Sequence, residues 1–162
     1  MIDRQRHNKR WKITKGPAKY DDLASEAAKS FAEFAARLEV NYIFAWLDWD
    51  GDNVLCDAGI IDYGSVRQFG IRHDLYRYDD VQRFSTSLNE QKHKARLIAQ
   101  VFVQMCDYIK TKEKKPLKSF EKHPVLTTFD ETFAATRADR ILYRMGFDQQ
   151  QRKNIVARPA LF

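Results

Sequence analysis

From Leu23 to Tyr42 the apolar residues Leu23, Ala27, Phe31, Phe34, Leu38 and Tyr42 recur at intervals of four, four, three, four and four. At 3.6 residues per turn that spacing returns every one of them to the same face of an α-helix, whereas a strand, with its period of two, would scatter them over both faces. Such a helix cannot bury its stripe alone, so the chain must supply further elements that stack on it. Two other stretches do so. Ala95, Ile98, Val101, Phe102, Met105 and Ile109 predict a helix from about Leu88 to Lys110. FDETFAATRADRILYRMGF predicts a third, with Asp130 near its start, Arg144 in its last turn and Gly146 as its C-terminal stop, and a short helix follows from Asp148. The first helix is expected to begin after Gly16-Pro17, with Asp21 or Asp22 as N-cap.

Between the first two helices lies LDWDGDNVLCDAGIIDYG, Leu47 to Gly64. Val54-Leu55-Cys56 and Gly59-Ile60-Ile61 are short apolar runs separated by Asp57-Ala58, a pattern suited to a tight hairpin. Ser65 to Ser87 has no clear period and reads as loop, and KTKEKKPLK, broken by Pro116, reads as an exposed connection. The expected fold class is therefore mainly α with a short β-hairpin.

At 162 residues and 44% hydrophobic content the chain is long and apolar enough for one domain with a real core. Its net charge of +6 is local: Met1 to Lys19 holds seven basic residues against Asp3 alone, which leaves the remainder neutral. The expected division is a basic arm over 1–19 and a helical unit over 20–162. A solvated terminal arm is not a basic patch on a folded surface, so no nucleic-acid partner is expected. Cys56 and Cys106 lack CxxC spacing and read as reduced core thiols, which with the absence of a signal-peptide core or a membrane-spanning apolar run predicts a soluble cytoplasmic protein with no membrane partner.

The carboxylates of the Leu47–Gly64 stretch admit three readings. Asp48, Asp50 and Asp52 occupy positions one, three and five of a calcium loop, but position six is Asn53 and position twelve, which needs a bidentate Glu, is Gly59. A kinase-type site needs an Asp that orients or deprotonates an acceptor, an Asn ligand to magnesium, and a hairpin that returns a second Asp ligand in D-[FY]-G. Asp48 and Asn53 have the D-x-x-x-x-N spacing, and Asp62-Tyr63-Gly64 closes the hairpin. Asn and Asp are hard oxygen donors that leave magnesium room for water and phosphate oxygens, and Gly64 lets the backbone turn away. The third reading is a polar turn, because Asp and Gly gather in turns for backbone reasons alone.

The same residues resemble the selenoprotein O (YdiU) family, kinase-like proteins that transfer AMP from ATP to protein hydroxyls. That family's core motif reads approximately HGVMNTDN, then a short hairpin and IDYG. Here DWDGDN ends in Asp52-Asn53 and IIDYG supplies Asp62, nine residues beyond Asn53 as in the family. HDLYRYD resembles the region after the family's DYG, and ILYRMGF resembles a later helix end, so the likeness runs discontinuously from about Phe31 to Phe162. The resemblance implies the helical C-lobe of a kinase-like fold, ATP and Mg2+ as cofactors, a protein substrate, Asp52 as catalytic base, and Asn53 and Asp62 as magnesium ligands. Trp46 to Asp50 replaces the family's HGVMN and puts Asp48 in the slot of the ordinary kinase Asp, so Asp48 and Asp52 are rival bases. The family's nucleotide-binding lobe needs more than the 46 residues that precede the motif. The expectation is a partial adenylyltransferase with a separate chain supplying that lobe; the alternative is a noncatalytic helical interaction domain with an acidic, calcium-binding turn.

Other polar residues carry weaker signals. His73 beside Asp74 reads as a loop histidine, Arg67, Arg72 and Arg77 as partners of phosphate or of nearby Asp residues, and Trp46 and Trp49 as core. His93 and His123 have no partner at ligand spacing.

Overall fold

In the computed structural model, which describes residues 11–41, 43–44, 55, 59, 61, 67–68 and 88–158, the first helical period becomes α1, Lys19–Val40. Its order of partners along the chain is β1 (Ile43–Phe44), β2 (Arg67–Gln68), α2 (Leu88–Thr111), a 3-10 turn (Leu117–Phe120), α3 (Pro124–Arg144) and α4 (Gln149–Val156). The described residues are thus mainly helical, as the periodicity predicts.

The central element is α1. Ala24, Ala27, Ala28, Ala32, Ala35 and Ala36 are all buried on it, with Leu23, Phe31 and Leu38 between them. Small side chains on two adjoining faces let two helices approach one, and both α2 and α3 pack along α1 while touching each other much less. Large residues from the neighbours fill the space: Phe102 of α2 meets Phe31 at 5.6 Å between ring centres, tilted by 55°, and Phe129 and Leu126 of α3 are fully enclosed.

The boundaries differ from expectation in ways that have local causes. Helix α1 starts earlier than Asp21, with Ala18 as N-cap, and Asp21 and Asp22 lie in its first turn. There their charge opposes the positive end of the helix dipole. Helix α3 starts well before Asp130: the His123 side chain accepts a hydrogen bond from the Val125 N–H, and Pro124 takes the first turn, where its missing N–H costs nothing. Its stop is as read, since Gly146 has φ 91° and the Phe147 and Gly146 amides donate to Leu142 and Tyr143 carbonyls. Asp148 then opens α4 through a capping box with Gln151.

Part of the basic segment 1–19 is core. Trp11 is only 5% exposed, its indole N–H donates to Ser30 Oγ at 3.0 Å, and Ile13 is buried beside it. Thr14 donates from its amide and its hydroxyl to one carboxylate oxygen of Asp22, at 2.9 and 2.6 Å. Lys12 and Lys15 point outward, so the charge stays solvated while the apolar residues between are packed. On the far side of the bundle α2 ends at Lys112, which adopts φ 62° and donates its amide to the Tyr108 carbonyl. Gln104 and Gln100 donate to the Lys115 and Leu117 carbonyls and hold the connection against α2. Among the described residues no helix is long and apolar enough to cross a membrane.

Candidate functional site

Helix α1 delivers the chain to the acidic segment in a fixed direction. The last carbonyls of any helix lack intrahelical partners. Here Arg144, at the end of α3, donates to the Val40 carbonyl at 2.6 Å and to Asn41 Oδ1 at 2.8 Å. The Asn41 amide group in turn donates to the Arg37 carbonyl. A cation at a helix C-terminus also meets the negative end of the dipole. Arg137, about two turns earlier on α3, pairs with Glu39 at 2.7 Å, so the end of α1 is fastened to α3 twice.

Immediately beyond, β1 pairs antiparallel with β2, Ile43 opposite Gln68 and Phe44 opposite Arg67. Phe44 and Arg67, which flank the segment 45–66, therefore lie opposite each other. Within that segment the Leu55 amide donates to the Gly59 carbonyl at 2.8 Å, and the other residues of the expected hairpin, except Ile61, lie outside the described residues. Leu55 and Ile61 are exposed. The rival bases Asp48 and Asp52 and the magnesium ligands Asn53 and Asp62 lie outside the described residues, as do Trp46, Trp49, His73, Asp74, Arg72 and Arg77. What the fold contributes is the frame: a two-residue ladder that draws the two ends of the acidic segment together, mounted on a helix end that Arg144 holds.

Elsewhere, among the described residues, two clefts open on the bundle. One, of about 260 Å³, is lined by Trp11, Glu26, Lys29, Ser30, Glu33, Phe34 and Arg37. Its charges answer one another, Lys29 with Glu26 at 2.7 Å and Arg37 with Glu33 at 3.2 Å, which leaves little field for a charged ligand. The other, of about 360 Å³, has Met105 and Tyr108 in its floor and Gln104, Lys114 and Lys115 around them. Lys115 is committed to Asp107 at 3.0 Å.

Among the described residues no three His, Cys, Asp or Glu side chains come together as a metal site. His93 is exposed on α2, and His123 is occupied as a helix cap. Cys106 is a buried thiol whose pKa is pushed up to about 11, chiefly by burial and further by the Asp21 carboxylate, against the opposing pull of Lys110. A thiol so protonated is no nucleophile at neutral pH.

One feature of the surface escapes the helical-period reading of α2. Val101, Met105 and Ile109, expected in the core, are exposed, and the core side carries Ala95, Ala99, Phe102, Val103 and Cys106. The helix is apolar on two adjoining faces, and a single period drawn through both averages them. The signal was in the breadth of the apolar arc, which exceeds what one packing surface covers. Comparison of the chain with protein-family models, curated proteins and solved structures finds no match.

Proposed function

We propose that the chain is the helical lobe of a kinase-like transfer site of the selenoprotein O type, which moves AMP from ATP to Ser, Thr or Tyr hydroxyls of a protein substrate. The observation that carries this reading is the order Asp48, Asp52-Asn53, Asp62-Tyr63-Gly64 inside a segment whose ends are joined by the β1–β2 ladder. In it, Asn53 and Asp62 supply hard oxygen donors, the set that suits Mg2+. The ion would neutralise charge on the nucleotide phosphates. Asp52, with Asp48 as its rival, accepts the proton of the acceptor hydroxyl as that oxygen attacks the α-phosphorus; the bond to pyrophosphate breaks and pyrophosphate leaves. The Gly-rich loop and lysine that cradle phosphates would come from outside residues 1–162. We further read the Leu55–Gly59 hydrogen bond as the closing contact of the hairpin between the two ligands.

A second reading has an observation of its own. The exposed apolar face of α2 favours a noncatalytic interaction domain in which the acidic segment is a turn or a calcium staple. Thermal unfolding separates the two. With ATP and magnesium at about ten times their dissociation constant, the transfer reading expects an upward shift of roughly 3–6 °C that Asp62→Ala abolishes. Stabilisation by calcium alone, with none from magnesium and ATP, would instead select the staple.

A further inference from the structure

Lysines from two distant stretches of the chain converge on one end of the bundle. Lys110, in the last turn of α2, pairs with Asp21, in the first turn of α1, at 2.7 Å. Thr14 binds the next residue, Asp22, which brings the segment that carries Lys12 and Lys15 to the same end. Residues 12–22 and 107–115 meet there, with seven lysines against four carboxylates. Those carboxylates are engaged: Asp21 by Lys110, Asp22 by Thr14, Asp107 by Lys115 at 3.0 Å, while Glu113 lies 4.0 Å from the same Lys115. Lys12, Lys15, Lys112 and Lys114 are exposed and form no ion pair among the described residues. The expectation of no nucleic-acid partner rested on a solvated arm, but Trp11 and Ile13 are core, so Lys12 and Lys15 are mounted on the folded surface. Charge so held is a patch that a polyanion can read. Tyr108, one turn before Lys112, is 50% exposed, has no ring partner among the described residues, and lies with Met105 in the floor of the 360 Å³ cleft beside Lys114.

We infer that this end of the bundle binds single-stranded nucleic acid, with Lys12, Lys15, Lys112 and Lys114 against phosphates and one base stacked on Tyr108. Point charges beside an exposed aromatic ring are the pairing that single strands use, because each linkage carries a phosphate and each base offers a π-face. A duplex keeps its bases stacked on one another and has none to give Tyr108. An acidic peptide would meet the lysines and leave the ring without a stacking partner. Against an anionic membrane the shape is wrong: Met105 and Tyr108 floor a cleft, not a convex apolar face that sinks into lipid. A lone nucleotide makes a single stack and reaches too few of the lysines to be held, so ATP leaves this end unoccupied. The patch sits at the start of α1, about 30 Å along that helix from the β1–β2 ladder, and stands whether or not the acidic segment binds nucleotide.

The test uses the full chain and a fluorescein-labelled single-stranded RNA of mixed sequence, about 12 nucleotides long, within the span that one small binding domain covers. Anisotropy titrations over a range of salt concentrations are expected to show binding that weakens steeply with salt. The slope of log K against log salt should become shallower by about 1.4, roughly 0.7 for each lysine, both for Lys12→Gln with Lys15→Gln and for Lys112→Gln with Lys114→Gln. Tyr108→Ala should weaken binding about tenfold and leave the slope unchanged. Lys153→Gln, on α4, should change neither quantity. Circular dichroism verifies that these exposed substitutions leave the helices intact. Absence of binding, or binding indifferent to either lysine pair or to Tyr108→Ala, would overturn the inference. So would association with phosphatidylserine vesicles tighter than with the RNA.

Discussion

Arg144 ties the end of α3 to the end of α1, where it satisfies a helix-terminal carbonyl at 2.6 Å. Replacing it by Met keeps the aliphatic stem and removes the donors. The expected cost is about 1–3 kcal/mol, read as a lower urea midpoint with unchanged slope, since a partly buried carbonyl loses a charged partner. Cys106 gives a prediction in pH. Its folded pKa, about 11, lies above the ordinary 9.0, so the native state holds the proton more tightly than the unfolded chain does. The resulting stability is fully present below pH 9 and is lost as pH rises from there toward 11. Urea midpoints measured across that window should fall more steeply for the parent chain than for Cys106→Ala; equal slopes would show that the thiol is not the group responsible.

At the scale of elements, the alanines of α1 are what permit a three-helix arrangement with one shared centre. A helix with Leu at those sites would hold its neighbours further off and open gaps around Phe31 and Phe129. Ala28 is fully buried. Ala28→Leu should therefore destabilise by about 1–3 kcal/mol through overpacking, although Leu is nearly as good a helix former as Ala, and denaturant unfolding measures it. The same logic separates what could be read in the one-dimensional pattern from what could not. Spacing of Leu23, Ala27, Phe31 and Leu38 locates α1 because one face meets core. In α2 the apolar residues run over two faces, and only the packed structure tells that Phe102 and Val103 turn inward and Val101 and Met105 do not. Helix starts were the other weak point: Asp21, Asp22 and Asp130 look like caps, but Ala18 and His123 hold those places. Cap identity depends on where the preceding chain comes from, which the Trp11–Ser30 and Thr14–Asp22 hydrogen bonds decide for α1. Stops were easier, because Gly146 and the Asp148-Gln151 pair act within a few residues.

At the scale of the whole molecule, the mainly helical class, a contiguous core among the described residues and the exposed lysine-rich connection were legible from periodicity and composition. The site residues Asp48, Asp52, Asn53 and Asp62 rest on motif order and chemistry, and the fold adds a bundle end where β1 and β2 hold the segment's two ends together. That arrangement makes a local test of nucleotide binding possible. Mn2+ is a paramagnetic stand-in for Mg2+ with the same preference for oxygen ligands. Adding it with ATP to the 15N-labelled chain should broaden the amide resonances of Ile43, Phe44, Arg67 and Gln68, leave those of Tyr108 to Thr111 sharp at the opposite end of the bundle, where Lys110 meets Asp21, and lose this effect in Asp62→Ala. Broadening that is absent, or that persists unchanged in Asp62→Ala, would contradict a metal–nucleotide site on the acidic segment.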